Sequence, residues 1–89
     1  MFLDDAPIQI ERMQQHLKDE DLPGVQLRAH SLNGATVNIG GNGMQKVAFE
    51  IEVAARNREL DRVRGLVPEI QKEFERLKYF IVSTVISPK

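Results

Sequence analysis

Ala29-His30-Ser31-Leu32-Asn33-Gly34-Ala35 is the stretch that decides how this chain of 89 residues is read. If residues 22–39 form one helix at ~100° per residue, Val25, Ala29, Leu32, Thr36 and Ile39 share one side. His30 then projects almost diametrically opposite, with Gly34 one turn on and Asn33 beside it. A histidine on the solvent side, next to a residue with no side chain, contributes little to packing. It is well placed for chemistry carried out by another protein.

Helical spacing continues in both directions from this segment. Upstream, Leu3, Ala6, Ile10, Met13 and Leu17 run at intervals of three and four, a single apolar seam. Pro7 fits the first turn of that helix if Asp4 or Asp5 is the cap, and would kink a helix that began earlier. Met1-Phe2-Leu3 is already on pattern, so the helix is expected to continue upstream in a longer parent protein. Lys18-Asp19-Glu20-Asp21 breaks the seam, and Asp21 can cap the histidine helix with Pro23 near its start.

Downstream, Gly40-Gly41-Asn42-Gly43 is composed of helix stoppers and is expected to be a turn. A third helix carries Met44, Val47, Ala48, Ile51 and Ala55 on one face and ends near Arg56-Asn57. The fourth shows the clearest seam: Leu60, Val63, Val67, Ile70, Phe74, Leu77 and Ile81. Pro68 lies inside it and is expected to bend it or to cost a backbone hydrogen bond. No strand alternation, internal repeat or low-complexity linker interrupts the pattern. Four helices with short connections and one apolar stripe each specify an all-α, antiparallel up-down-up-down four-helix bundle, a single domain over residues 1–89.

Composition narrows the function classes. Apolar residues at 42% and charged residues at 28% suit a soluble globular chain rather than a disordered one. A formal net charge of −1 with interspersed signs gives no footprint for nucleic acid or an anionic membrane. No run approaches the ~18 apolar residues of a membrane span, and no signal peptide is visible. Without cysteine there is no disulfide and no thiolate metal site, which fits a reducing compartment; the cytoplasm is the default.

The chemistry is narrowed in the same way. His16 and His30 are far apart, and no H-x-x-x-H or E-x-x-H pair supplies metal ligands. A nucleophilic triad needs a pocket, and a convex helix face offers none. The glycines at 40, 41 and 43 lack the Gly-Lys-Ser/Thr of a phosphate loop, so no ATP site is visible. A lone surface histidine usually has no role, and His16, between Gln15 and Leu17, reads that way. His30 differs in its company. Gly34 costs ~1 kcal/mol relative to alanine in a helix interior, and Leu27, Gly34 and Val37 form a small apolar patch beside the ring. What remains is reversible phosphorylation of the imidazole, which has a ring nitrogen free to attack phosphorus at neutral pH. Positioning and charge neutralisation, including Mg²⁺, can come from a partner.

On these residues the chain resembles the histidine-containing phosphotransfer (HPt) domains of multistep two-component phosphorelays. The family's His-x-Leu-Lys-Gly, preceded by Ala and followed by small residues, is here Ala29-His30-Ser31-Leu32-Asn33-Gly34-Ala35, with Asn38-Ile39-Gly40 further on. The opening Phe2-Leu3-Asp4-Asp5-Ala6-Pro7 resembles the family's first bundle helix, and the likeness covers nearly the whole chain.

The resemblance implies that His30 is the phosphoacceptor, through Nε2, and that Gly34 leaves room for a receiver's active-site loop. It implies that Glu52 hydrogen-bonds the other ring nitrogen, as second-shell partners do. Arg56 would reach the phosphoryl group or an acidic receiver surface; the plainer reading of both is solvated charge on a helix end. The family's lysine three residues after the histidine is Asn33 here, which can donate a hydrogen bond but carries no charge.

The expected function is to relay a phosphoryl group between receiver-domain aspartates through phosphohistidine at His30, with docking on Leu27, Gly34 and Val37. The expected partners are response-regulator receiver domains, which supply Mg²⁺, and the chain's own sensor kinase if it is a segment of a hybrid kinase. The chain itself is a phosphocarrier with no cofactor, metal or ATP site, a monomer in the cytoplasm, inserted in no membrane, although its parent could be membrane-anchored. Two alternatives are a phosphoacceptor domain of the chemotaxis-kinase type and a non-catalytic receiver-binding helical module.

Overall fold

Every neighbouring pair of apolar seams meets in the structure, a computed structural model that describes residues 2–37 and 41–86. The helices are α1 (Phe2–Lys18), α2 (Leu22–Val37), α3 (Asn42–Arg56) and α4 (Leu60–Ile86). Each packs on the next in sequence, and α1 closes against α4, with the most extensive contact between α2 and α3. Cross-helix contacts tie the helices together: Arg28 Nη1 donates to Gln9 Oε1 at 3.3 Å between α1 and α2. The Phe2 and Phe74 rings lie 6.1 Å apart between α1 and α4. The architecture is an all-helical four-helix bundle.

The core is built from the seam residues. Ile10 and Met13 of α1, Val25 and Leu32 of α2, Met44 and Ile51 of α3, and Ile70 and Phe74 of α4 are fully buried. Side chains of this size contribute about 1.5–3 kcal/mol each on leaving water, so these positions fix which face of every helix turns inward. Thr36 is buried on the same stripe of α2 and satisfies its hydroxyl by donating to the Asn33 carbonyl at 3.0 Å.

Helix α2, which carries His30, begins as expected. The Gly24 backbone N–H donates to Asp21 Oδ1 at 3.1 Å, and the Asp21 carbonyl accepts from Val25 N at 3.0 Å. A side-chain cap of this kind contributes ~1 kcal/mol.

Helices α1 and α3 end in the same way. After α1, Glu20 N donates to the Leu17 carbonyl and Asp21 N to the His16 carbonyl. After α3, Arg58 N donates to the Ala55 carbonyl and Glu59 N to the Ala54 carbonyl. Both are Schellman terminations, which require one residue in the left-handed region, usually glycine. Here Glu20 (φ 55°) and Arg58 (φ 60°) occupy those positions.

Two expectations need correction. Helix α1 includes Phe2 and Leu3, so neither Asp4 nor Asp5 caps it, and Pro7 lies inside it on the exposed side. Helix α3 starts at Asn42 rather than Met44, so the glycine run is not wholly a turn. Its glycines answer to packing: a Cβ on Gly41 would come within 2.8 Å of Leu77 Cδ2, and one on Gly43 would run into Glu73 Oε1. As read from the sequence, Pro68 lies inside α4, on its exposed side. Ile39 and the Asn38-Ile39-Gly40 match lie outside the described residues.

Candidate functional site

Because Ala29 and Leu32 anchor α2 in the core, His30 is directed away from it, with 72% of its side chain exposed. Its partner comes from α3. On that helix Met44, Ala48, Ile51 and Ala55 point inward, which turns Glu52 along the boundary with α2, its side chain only 10% exposed. His30 Nδ1 donates to Glu52 Oε2 at 3.0 Å. A carboxylate only accepts, so the hydrogen sits on Nδ1 and the Nε2 lone pair is left free. One turn further along α3, Arg56 Nη2 donates to the same Oε2 at 3.5 Å. The structure therefore gathers three of the expected site residues around one oxygen. An exposed nucleophilic nitrogen is backed by a buried acceptor and flanked by a guanidinium.

The other expected residues divide. A Cβ built on Gly34 meets nothing within 4 Å, so no contact inside this chain calls for glycine there. Leu27 and Val37 are each 57% exposed, on the side of α2 that carries His30. Asn33 is half-buried, and its Oδ1 is buried without a hydrogen-bond partner among the described residues. It is rotated about 60° from His30 toward α3, and its amide oxygen faces into the protein rather than the open side.

Two features escaped the sequence reading. Phe49 is 53% exposed and lies one turn before Glu52, about 60° around α3 from it on the side away from the core. The available signal was an aromatic residue off the α3 seam, three positions before the acid. His16 also has company: its Nδ1 lies 3.0 Å from Asp21 Oδ2, and its ring occupies the space beside Gly24. A spacing of five hides that pair from a search at helical intervals.

Among the described residues, no group of three or more metal-binding side chains assembles, and no helix is long and apolar enough to cross a membrane. The arrangement is suited to presenting a nucleophile to a reactant carried by another molecule.

Comparison with known proteins agrees with the helical fold. The Hpt domain family matches residues 1–80. The phosphorelay intermediate protein rdeA of Dictyostelium discoideum is 29% identical over 75 residues, an alignment that covers 76% of this chain and 30% of that protein. No solved structure matches. With its seams, its capped histidine helix and the family match over most of its length, the chain belongs to the Hpt domain family, the histidine phosphotransfer modules of two-component signalling.

Proposed function

We propose that His30 is the phosphoacceptor of this module and that it exchanges a phosphoryl group reversibly with the aspartate of receiver domains. The observation that carries this reading is the exposed His30 ring whose Nδ1 is held at 3.0 Å by the buried Glu52 carboxylate. The Nε2 lone pair attacks the phosphorus of an aspartyl phosphate. The N–P bond forms, the P–O bond to the aspartate breaks, and its electron pair returns to the carboxylate. The imidazole gains positive charge in that step, and Glu52 offsets it across a charge-assisted hydrogen bond. Because Glu52 is buried and already in place, little reorganisation is needed.

Arg56 takes the part that Asn33, without a charge, does not fill: it can leave Glu52 Oε2, which it holds only at 3.5 Å, for the incoming phosphoryl oxygens. Leu27, Gly34 and Val37, joined by Phe49, form the surface on which the receiver sits, with Gly34 as the clearance for its active-site loop. The receiver supplies Mg²⁺. The module works as a monomer in the cytoplasm and relays between receivers rather than consuming ATP.

The test is transfer from receiver domains preloaded with phosphate, in Mg²⁺, to this chain and to His30→Gln. Acid-labile, base-stable label on the parent chain and none on the variant is the expected result. Label that persists on His30→Gln would move the acceptor elsewhere, and binding without label would favour a docking module.

A further inference from the structure

Glu20 and Arg58, the two non-glycine residues with left-handed backbone among the described residues, line the same groove, at the end of the bundle where α2 begins and α3 ends. Each occupies the Schellman position that glycine fills at no steric cost. For Glu20 the structure supplies a reason: its Oε2 accepts from Arg64 Nη2 at 3.2 Å, which ties the α1–α2 turn to α4. Arg58 is exposed, and its guanidinium has no ion pair or hydrogen bond among the described residues. A strained backbone holding an unpaired charge at a groove points to something outside the chain.

The groove continues the His30 face. Pro23 and Gln26 form its α2 wall and project within about 40° of His30 around the helix. Gln26 is one turn from His30, and Arg56 forms the α3 wall, so the groove begins where the histidine site ends. A stable protein–protein contact covers about 800 Å² per partner, a disc roughly 16 Å in radius, whereas Pro23 lies about 10 Å from His30 along α2. A protein seated on His30 therefore covers the groove as well. A donor that holds Mg²⁺ beside its phosphoaspartate does so with carboxylates, and the surface it brings is acidic. The face awaiting it is polarised, apolar at Val37 and Phe49 and cationic at Arg56 and Arg58.

We infer that Arg58 is a docking residue, pairing with a carboxylate at the edge of the incoming receiver domain and so setting the direction in which the receiver lies across α2 and α3. The inference rests on the phosphotransfer reading of His30 and adds to it a partner contact beyond the reacting groups.

Arg58→Gly separates this role from a structural one, because glycine relieves the backbone and should raise Tm. The variants Arg58→Gly, Arg58→Lys and Arg58→Glu are compared by transfer from the source organism's receiver domains preloaded with acetyl phosphate. Calorimetric binding of the unphosphorylated receivers and direct labelling of His30 by phosphoramidate complete the set. At low salt, kcat/KM and affinity should fall about threefold to tenfold for Arg58→Gly and further for Arg58→Glu, with Arg58→Lys close to the parent. The differences should collapse at high salt, and phosphoramidate labelling should be the same throughout.

A stabilised Arg58→Gly with unchanged transfer and affinity at low salt would overturn the inference and leave the role of His30 intact. If no receiver phosphorylates the parent chain, the relay reading falls and binding alone decides: weaker binding of Arg58→Gly sustains the contact, while equal or no binding removes it.

Discussion

The molecule contains the same hydrogen bond twice, with opposite burial. His30 and His16 each place Nδ1 3.0 Å from a carboxylate oxygen. At His30 the ring is 72% exposed and the Glu52 side chain 10%; at His16 the ring is 29% exposed and the Asp21 side chain 45%. The first pair joins two helices over 22 residues and leaves its ring accessible, whereas the second closes a turn over five and covers its ring. Asp21 is also engaged in capping α2. The difference teaches that a histidine–carboxylate contact does not by itself mark a reactive site. Under the proposed function, which member faces solvent distinguishes a presented nucleophile from a fastener.

The largest effect expected from breaking this comparison is on labelling. His30→Gln should lose all acid-labile phosphate, with a stability change within about 0.5 kcal/mol because the ring is exposed. His16→Gln should keep the label and lower Tm, as quantitative labelling and thermal denaturation would show. Full labelling of His30→Gln would erase the distinction.

Next come the two carboxylates. Glu52→Ala should slow transfer about tenfold, the scale of losing a group that orients a reactive histidine, while Glu52→Gln keeps an acceptor and most of the rate. Asp21→Ala should leave transfer unchanged and cost about 1–2 kcal/mol of stability through the lost cap, measurable by urea denaturation.

The last comparison separates the glycines beside the two rings. Gly24→Ala should destabilise by about 1–3 kcal/mol, since its Cβ would meet the His16 ring and the Asp21 carboxylate. Gly34→Ala, open on all sides, should stabilise by up to about 1 kcal/mol. Equal ΔΔG for the two would show that His16 does not hold the turn.

The sequence made the core legible because a bundle of this size leaves each helix one inward stripe, and Phe74, Ile70, Ile51, Leu32 and Met13 all lie on it. His30 was legible from its helix angle, whereas Glu52 and Arg56 were reached only through the family resemblance; the structure brings the three together because His30 faces outward from α2 and the other two run along the edge of α3. Where a residue's identity answers to another helix, the local pattern misled. Gly43 read as part of a turn but lies inside α3, where a Cβ would meet the Glu73 carboxylate of α4. Arg58 was invisible for a related reason: left-handed terminations are signalled by Gly or Asn, and Asn57, one position earlier, has φ −86°. Phe49 went unnoticed because one exposed aromatic breaks no periodicity.

The extensive contact between α2 and α3 has a kinetic consequence. His30, Glu52, Arg56, Gly34 and Phe49 all belong to this single helical hairpin, and every larger contact in the bundle except α1 with α4 joins sequence neighbours. Such local topology folds rapidly, and the hairpin can close before the first and last helices meet. Opening of the α1–α4 seam would then expose part of the core while leaving the imidazole and its acceptor in register. Amide hydrogen exchange should accordingly show α2 and α3 as the slowest-exchanging unit, so that the proposed phosphoacceptor resides in the last part of the protein to open.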